Sequence, residues 1–375
     1  MLVIAAVVVT GNSFFVHPQN VDLATSDVSI CRPCHQAIAD SFIHTAHYLD
    51  SRPADSNTIK GSFEEGKNIF TYNEFMDVMM VKDGDRFWQA GRVNNNITTL
   101  ATFDVVIGSG RNGQTYLTWD GNKLFQLPVS YYAPARRWCN SPGFPAYFYF
   151  GRQVPANCME CHFTAAKVLP NSRSEYDRSS LVYGITCARC HPGADEHAAF
   201  HTANPNEKNA KFVVNAANLD RSLRMDACAL CHSGLRTATA PAFSYQVGDT
   251  LEKYSIGHPV SSQADTLDVH GNQTGLLMAS KCYIKSTSMD CATCHDVHRN
   301  EYRNVKLFSS RCMNCHKPAS EYKFCTVKPG KNVVLSENCI DCHMPVLASQ
   351  SIRLNVAGDN QPHPDYLRTH LIKVR

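Results

Sequence analysis

Between residues 61 and 132 the chain runs in short β-favouring stretches of apolar and polar positions, interrupted twice by Asp-Gly. Residues 68–81 and 85–90 flank Asp83-Gly84, and residues 114–119 and 123–129 flank Asp120-Gly121. Tight hairpin turns need positive φ, which Asp and Gly tolerate, so the stretch predicts antiparallel β structure. Upstream the period changes. Ile38, Phe42, Ala46 and Leu49 recur at helical spacing and predict an amphipathic helix with His44 and His47 one turn apart on a common face. Beyond residue 150 short helical segments are broken by Gly, Pro and Asn, as at Pro192-Gly193 and Asn204-Pro205-Asn206. No repeat of fixed period runs through the chain, which argues against a solenoid.

One pentapeptide punctuates this pattern seven times, at unequal intervals: Cys-x-x-Cys-His. In chain order the motifs are Cys31-Cys34-His35, Cys158-Cys161-His162, Cys187-Cys190-His191, Cys228-Cys231-His232, Cys291-Cys294-His295, Cys312-Cys315-His316 and Cys339-Cys342-His343. A single Cys-x-x-Cys fits a zinc knuckle or a dithiol redox pair. Here a histidine follows every copy, and that combination points to seven covalent haems c. Two thiols about one turn apart form thioethers with the vinyl groups of one porphyrin, and the adjoining imidazole takes the iron from one side.

The motifs divide the chain into a leader or export segment (1–28), a first haem module (29–60), a haem-free β-rich insert (61–150) and a haem-rich body with six haems (151–375). The expected fold is a multihaem cytochrome c: mainly short helices and loops wrapped around seven haems, with the β insert between the first and second. At this haem density porphyrins supply much of the apolar interior. The formal charge of +3 misleads. About fourteen propionates, against one net positive charge per ferric centre, bring the oxidised holoprotein to roughly −4. Nucleic acid is therefore not an expected partner.

Residues 1–9 are apolar and resemble the hydrophobic part of an export signal, without a positively charged start or an Ala-x-Ala cleavage site. A truncated or misassigned start is expected, and the alternative is a short N-terminal anchor that gives membrane association. Covalent haem attachment in bacteria takes place outside the cytoplasmic membrane, so a periplasmic or extracellular location follows. Cys139, Cys282 and Cys325 lie outside the motifs. Cys282 with Cys325 is the preferred disulfide in such a compartment, and unpaired buried thiols are the alternative.

Each iron needs a second axial ligand or an open position. Ten histidines lie outside the motifs, a surplus that predicts bis-His ligation at most haems. The candidate distal ligands are His44, His47, His197, His201, His258, His270, His298, His363 and His370. His197 and His201 sit at i,i+4, so either reaches an iron while the other bonds a propionate. Met76, Met79 and Met80 fall in the predicted β region and are expected to pack there. His17 lies ahead of the first motif.

The run from Cys31 to Tyr48, with Phe42 and Thr45-Ala46-His47, resembles the opening haem module of multihaem cytochromes related to the tetrahaem cytochrome of nitrifying bacteria. Gln126-Leu127-Pro128-Val129-Ser130-Tyr131-Tyr132, with Trp138 and Ser141-Pro142-Gly143-Phe144, is similar to the section before the second haem of bacterial multihaem proteins, some of which carry tetratricopeptide repeats. So are Gly184-Ile185-Thr186-Cys187, Asp268-Val269-His270-Gly271, Ser280-Lys281-Cys282-Tyr283 and Cys294-His295-Asp296-Val297-His298. The resemblance covers nearly the whole chain after residue 28, and no tetratricopeptide region is present. It implies a mostly helical scaffold with porphyrins in parallel-stacked and near-perpendicular pairs. Its wider superfamily holds both carriers and enzymes that reduce nitrite or oxidise hydroxylamine, so fold does not choose between them. The Cys-x-x-Cys-Lys hallmark of pentahaem nitrite reductases does not occur here.

The leading expectation is an electron carrier working with redox proteins or other cytochromes. A multihaem oxidoreductase of small nitrogen or sulfur compounds, acting at one five-coordinate haem, is the alternative. A third reading is self-association into an extracellular filament, with His17 completing a site in the next subunit.

Overall fold

The computed structural model describes residues 28–257, 267–316 and 334–374. Its helices are α1 (Val28–Phe42), α2 (Ala156–Met159), α3 (Cys187–Cys190), α4 (Ala194–Ala203), α5 (Arg221–His232), α6 (Gln273–Met278), α7 (Lys281–Lys285), α8 (Val305–Cys312) and α9 (Cys339–His343). Most are one or two turns long. None is long and apolar enough to cross a membrane, among the described residues.

The predicted β structure is present and begins earlier, at β1 (Ser51–Pro53). One sheet orders β2 (Ile69–Thr71), β3 (Met76–Asp83), β4 (Arg86–Val93) and β5 (Asn96–Thr102) as a meander. A second joins β1 to β6 (Val105–Ile107), β7 (Gly113–Asp120), β8 (Lys123–Gln126) and β11 (Arg152–Gln153), with β9 (Val129–Tyr132) and β10 (Arg137–Asn140) branching from β7. All these pairings are antiparallel.

The hairpins at both Asp-Gly pairs form, shifted by one residue from the expected turn. Asp83 pairs with Arg86 and Asp120 with Lys123, so each aspartate closes its strand and the glycine occupies the first turn position. Gly84 and Gly121 have φ of +59° and +55°, and the residue after each stays negative, which is the type II′ arrangement. A third hairpin had no glycine to announce it. Val93 pairs with Asn96 across Asn94 and Asn95, whose φ values are +49° and +62°.

A side-chain core fills the space between the sheets, built on Phe70, Val78, Met80, Phe87, Tyr116, Leu127 and Trp138. The Trp138 ring stands edge-on to Phe63 and Tyr131, and its Nε1 donates to the Ser62 carbonyl at 2.8 Å. Buried Gln89 of β4 bridges to β9: its Nε2 donates to the Val129 carbonyl and its Oε1 accepts from the Val129 amide. Met80 packs in this core, as expected from its place in the β region. Beyond residue 180 the clusters of buried apolar side chains shrink to three or four members. That half of the molecule lacks a comparable core among the described residues.

The predicted helix over Ile38 to Leu49 stops at Phe42. Thr45 ends it, because its hydroxyl donates back to the Phe42 carbonyl at 2.7 Å and accepts from the Tyr48 amide, replacing helical bonds with a turn. His44 and His47 thus leave the helix and separate. At the other end of the chain a hairpin of Val346–Leu354 and His363–Arg368 docks on β10. Asn140 and Asn355 exchange hydrogen bonds, and Arg137 grips Asp359 with both terminal nitrogens at 2.9 Å. Cys139 lies beneath with Leu354 and Val356, and burial pushes its thiol up to about 12. Cys325 is outside the described residues, as are His17 and residues 1–9.

Trp138→Ala is expected to cost about 3–5 kcal/mol by leaving a cavity between the sheets. Denaturant unfolding followed by far-ultraviolet circular dichroism measures it.

Candidate functional site

All seven motifs sit on, or at the end of, a helical turn. In motifs 3, 5 and 6 the histidine amide donates to the carbonyl of the first cysteine, at 2.9–3.0 Å. One turn therefore places the cysteines at i,i+3 on a common face, with the imidazole one residue on. Local capping supports this: the Asp290 carboxylate accepts from the Thr293 amide at the start of motif 5, and Asn304 caps α8 ahead of motif 6.

The fourteen motif cysteines and seven motif histidines all line one continuous cavity of 3430 Å³. A pocket for one drug-sized ligand occupies roughly 300–1,000 Å³, so this space suits several large flat groups. Neighbouring motifs touch within it. The thiols of Cys31 and Cys187, of Cys161 and Cys231, and of Cys228 and Cys291 are in hydrogen-bonding contact. These contacts link motif 1 to 3, 2 to 4, and 4 to 5.

The variable positions of the motifs help to hold this arrangement. Arg189 of motif 3 pairs with Glu160 of motif 2 at 3.5 Å, and Asp341 of motif 7 pairs with Arg368 at 2.6 Å. Arg224 of α5 reaches Asp290 at 2.5 Å, tying motif 4 to motif 5. Arg311 of α8 bonds both the Cys294 carbonyl and Glu301, tying motif 5 to motif 6.

Four motif histidines face a second histidine across the cavity. The ring centres are 6.4 Å apart for His35 and His197, 6.2 Å for His191 and His298, 6.1 Å for His295 and His370, and 6.1 Å for His232 and His47. Two metal–nitrogen bonds of about 2 Å, each extended by the ~1.1 Å from nitrogen to ring centre, separate two imidazoles on one metal by about 6.3 Å. The separations fit that arrangement. The first three pairs have nearly parallel planes, at 20°, 15° and 25°, whereas His232 and His47 cross at 74°.

Protonation and tautomer suit metal binding as well. Burial, with His232 beside it, pushes His47 down to about 4, and burial with His295 beside it does the same to His370. Both rings are therefore neutral, as ligation requires. Nδ1 of His191, His197 and His343 donates to the carbonyls of Val214, Lys211 and Lys373, leaving Nε2 directed elsewhere. His162 differs, since its Nδ1 bonds Asp50 Oδ2 at 2.9 Å. Burial works against the charged ring there, but Asp50 outweighs it and raises His162. The residues present thus fit covalently held haem, both in thiol placement and in imidazole pairing.

The remaining candidates fall elsewhere. His201 lines the cavity beside His197, with its Nε2 buried and without a hydrogen-bond partner. His270 also lines it, 3.6 Å from Asp365. His44 is exposed and outside the cavity, and so is His363, which spends its Nε2 on Asp359 at 2.9 Å. His258 lies outside the described residues. Asp50 was invisible to sequence reasoning, because 112 positions separate it from His162.

The family described as cytochrome c554 and c-prime matches residues 151–192 and 290–363, the stretches that carry motifs 2, 3, 5, 6 and 7. No curated protein matches the chain. Among solved structures, the outer cell wall cytochrome OcwA is similar over 92% of this chain and 78% of its own, with a TM-score of 0.54 and 15% identity. The fold is that of a multihaem cytochrome. The chain is similar to multihaem c-type cytochromes, proteins whose cofactor is covalent haem c.

Gly184 (φ +65°) passes so close to the turn at Tyr48 that a Cβ would sit 2.2 Å from the Tyr48 carbonyl oxygen. Gly184→Ala is expected to destabilise by more than about 1 kcal/mol and to lower the yield of mature protein, read from haem absorbance per polypeptide.

Proposed function

We propose that the chain is an exported cytochrome that carries electrons through seven haems c, most of them bis-His. The observation that carries this reading is the set of four facing histidine pairs. Haem held between the two histidines of each pair would supply outer-sphere electron transfer and would offer small molecules no metal site to bind. When bound, haem supplies an iron that cycles between the ferric and ferrous states. The polypeptide supplies order: thiol contacts set motif 3 against 1, and motif 4 against both 2 and 5. His47, His197, His298 and His370 are the distal ligands in this reading, and His201 is left free to bond a propionate. Redox proteins or other cytochromes are the partners. The likeness to an outer cell wall cytochrome and the covalent haem chemistry support a location outside the cytoplasm.

Among the described residues the pairs account for four of the seven motif histidines. A second reading therefore stays open, in which a site at one of the remaining motifs keeps a coordination position for a small nitrogen or sulfur compound. Turnover with reduced viologen against nitrite, hydroxylamine and tetrathionate tests it, and activity no greater than that of free haem removes it.

Intact mass spectrometry is expected to give the polypeptide plus seven haems, and fewer would refute the count. Electron paramagnetic resonance of the oxidised protein reads the ligand planes. The three near-parallel pairs give rhombic low-spin signals, and the crossed His232–His47 pair gives a single strongly anisotropic one. His47→Ala is expected to abolish that signal alone.

A further inference from the structure

The imidazole of His162, in motif 2, meets a formal charge. His191 and His343 donate Nδ1–H to the uncharged carbonyls of Val214 and Lys373 at 3.0 and 3.1 Å. His162 makes a slightly shorter bond, 2.9 Å, to the Asp50 carboxylate. Geometry is nearly constant across the three, so the difference lies in the acceptor. A carboxylate draws the Nδ1 proton towards itself and leaves the ring with more imidazolate character. That ring is a stronger donor through Nε2 and favours the more oxidised metal.

The acceptor is held in place from several directions. Asp50 closes the turn through its amide to the His47 carbonyl at 3.2 Å, and its own carbonyl accepts from the Gly108 amide at 2.5 Å. The next residue fixes the backbone of the histidine itself: Ser51 Oγ donates to the His162 carbonyl at 2.7 Å and accepts from the Gly184 amide at 2.8 Å. Residues 50 and 51 thus grip His162 at ring and main chain together. Arg52 lies within electrostatic reach of Asp50, yet forms no ion pair with it among the described residues. The hydrogen bond of the carboxylate goes to the His162 imidazole, while its charge reaches His47 and His232 only through space.

We infer that Asp50 is a positioning and tuning residue that lowers the reduction potential of the iron held by His162, relative to its value without the carboxylate. This rests on the proposed ligation of haem by motif 2. Motif 2 touches motif 4 through Cys161 and Cys231, so the lowered potential would make this site a better electron donor to motif 4 than it is without the carboxylate.

The test uses the purified holoprotein. Peptide mass spectrometry first locates haem on the Cys158–Cys161 peptide, and its absence would remove both the ligation reading and the inference. With haem present, potentiometric titration compares the wild type with Asp50→Asn, which keeps the shape and removes the charge. The expected result is that one centre shifts about tenfold towards the ferrous state, about 59 mV for one electron, with any shift at the His47–His232 pair smaller and the others holding. An unchanged titration would overturn the inference and leave the ligation reading intact. Ser51→Ala, which loosens the main-chain grip alone, is expected to leave the potentials in place, and an equal shift there would also overturn it. Should Asp50→Asn fail to mature, Asp50→Glu is titrated instead: a shift of one centre as the charge is displaced supports the inference, and none overturns it.

Discussion

The hydrogen bonds and ring contact made by residues 47–51 hold three motifs in register, and much of the cavity is arranged around them. The His47 carbonyl accepts from the Ile185 amide just ahead of motif 3, while its ring faces His232 of motif 4. Asp50 and Ser51 hold His162 of motif 2, and Ser51 reaches Gly184 as well. Five consecutive residues thus connect segments that lie more than a hundred positions away. The turn at Thr45 makes this possible, because a continued helix would have carried His47 off along the α1 axis. Gly184 is the counterpart on the other side, where any side chain would force the two strands of contact apart.

The molecule has two kinds of interior. Between the sheets, aromatic and aliphatic side chains pack against one another around Trp138 in the ordinary way. Around the motifs, buried apolar clusters are small, and charged side chains bridge neighbouring segments: Arg189 to Glu160, Arg224 to Asp290, Arg311 to Glu301 and Arg368 to Asp341. Arginine suits that role because its planar fork bonds carbonyls and carboxylates at once and stays charged when partly buried. A scaffold meant to enclose large flat groups has little side-chain volume left over for a core, so polar bridges set the spacing of its walls.

Much of the fold was legible in the sequence where the signal is local. The hairpins at Gly84 and Gly121 were readable because a glycine marks a backbone conformation, although the turn itself lay one residue further on. Asn94-Asn95 went unread, since asparagine reaches positive φ at a cost that only the flanking register offsets. The helix end at Phe42 was missed because apolar spacing continued past it, and a threonine hydroxyl overrode the periodicity. The motifs announce their own chemistry in five residues. Their opposing histidines do not: His232 and His47, or His35 and His197, are brought together by tertiary structure, and the sequence supplied a surplus of candidates without pairings. His363 shows the hazard, since a carboxylate four residues away takes the nitrogen that a metal would need.

The direction of the histidine pairs along the chain bears on assembly. His197, His298 and His370 each come after the motif histidine they face, whereas His47 comes 185 positions before His232. If the chain is exported N-terminus first, as proposed, three sets of cysteines would reach the attachment machinery before the opposing ring has emerged. On the proposed ligation, covalent capture at those sites would precede coordination by the length of chain still to come. At His232 the order is reversed, and the partner ring is already waiting when the thiols arrive.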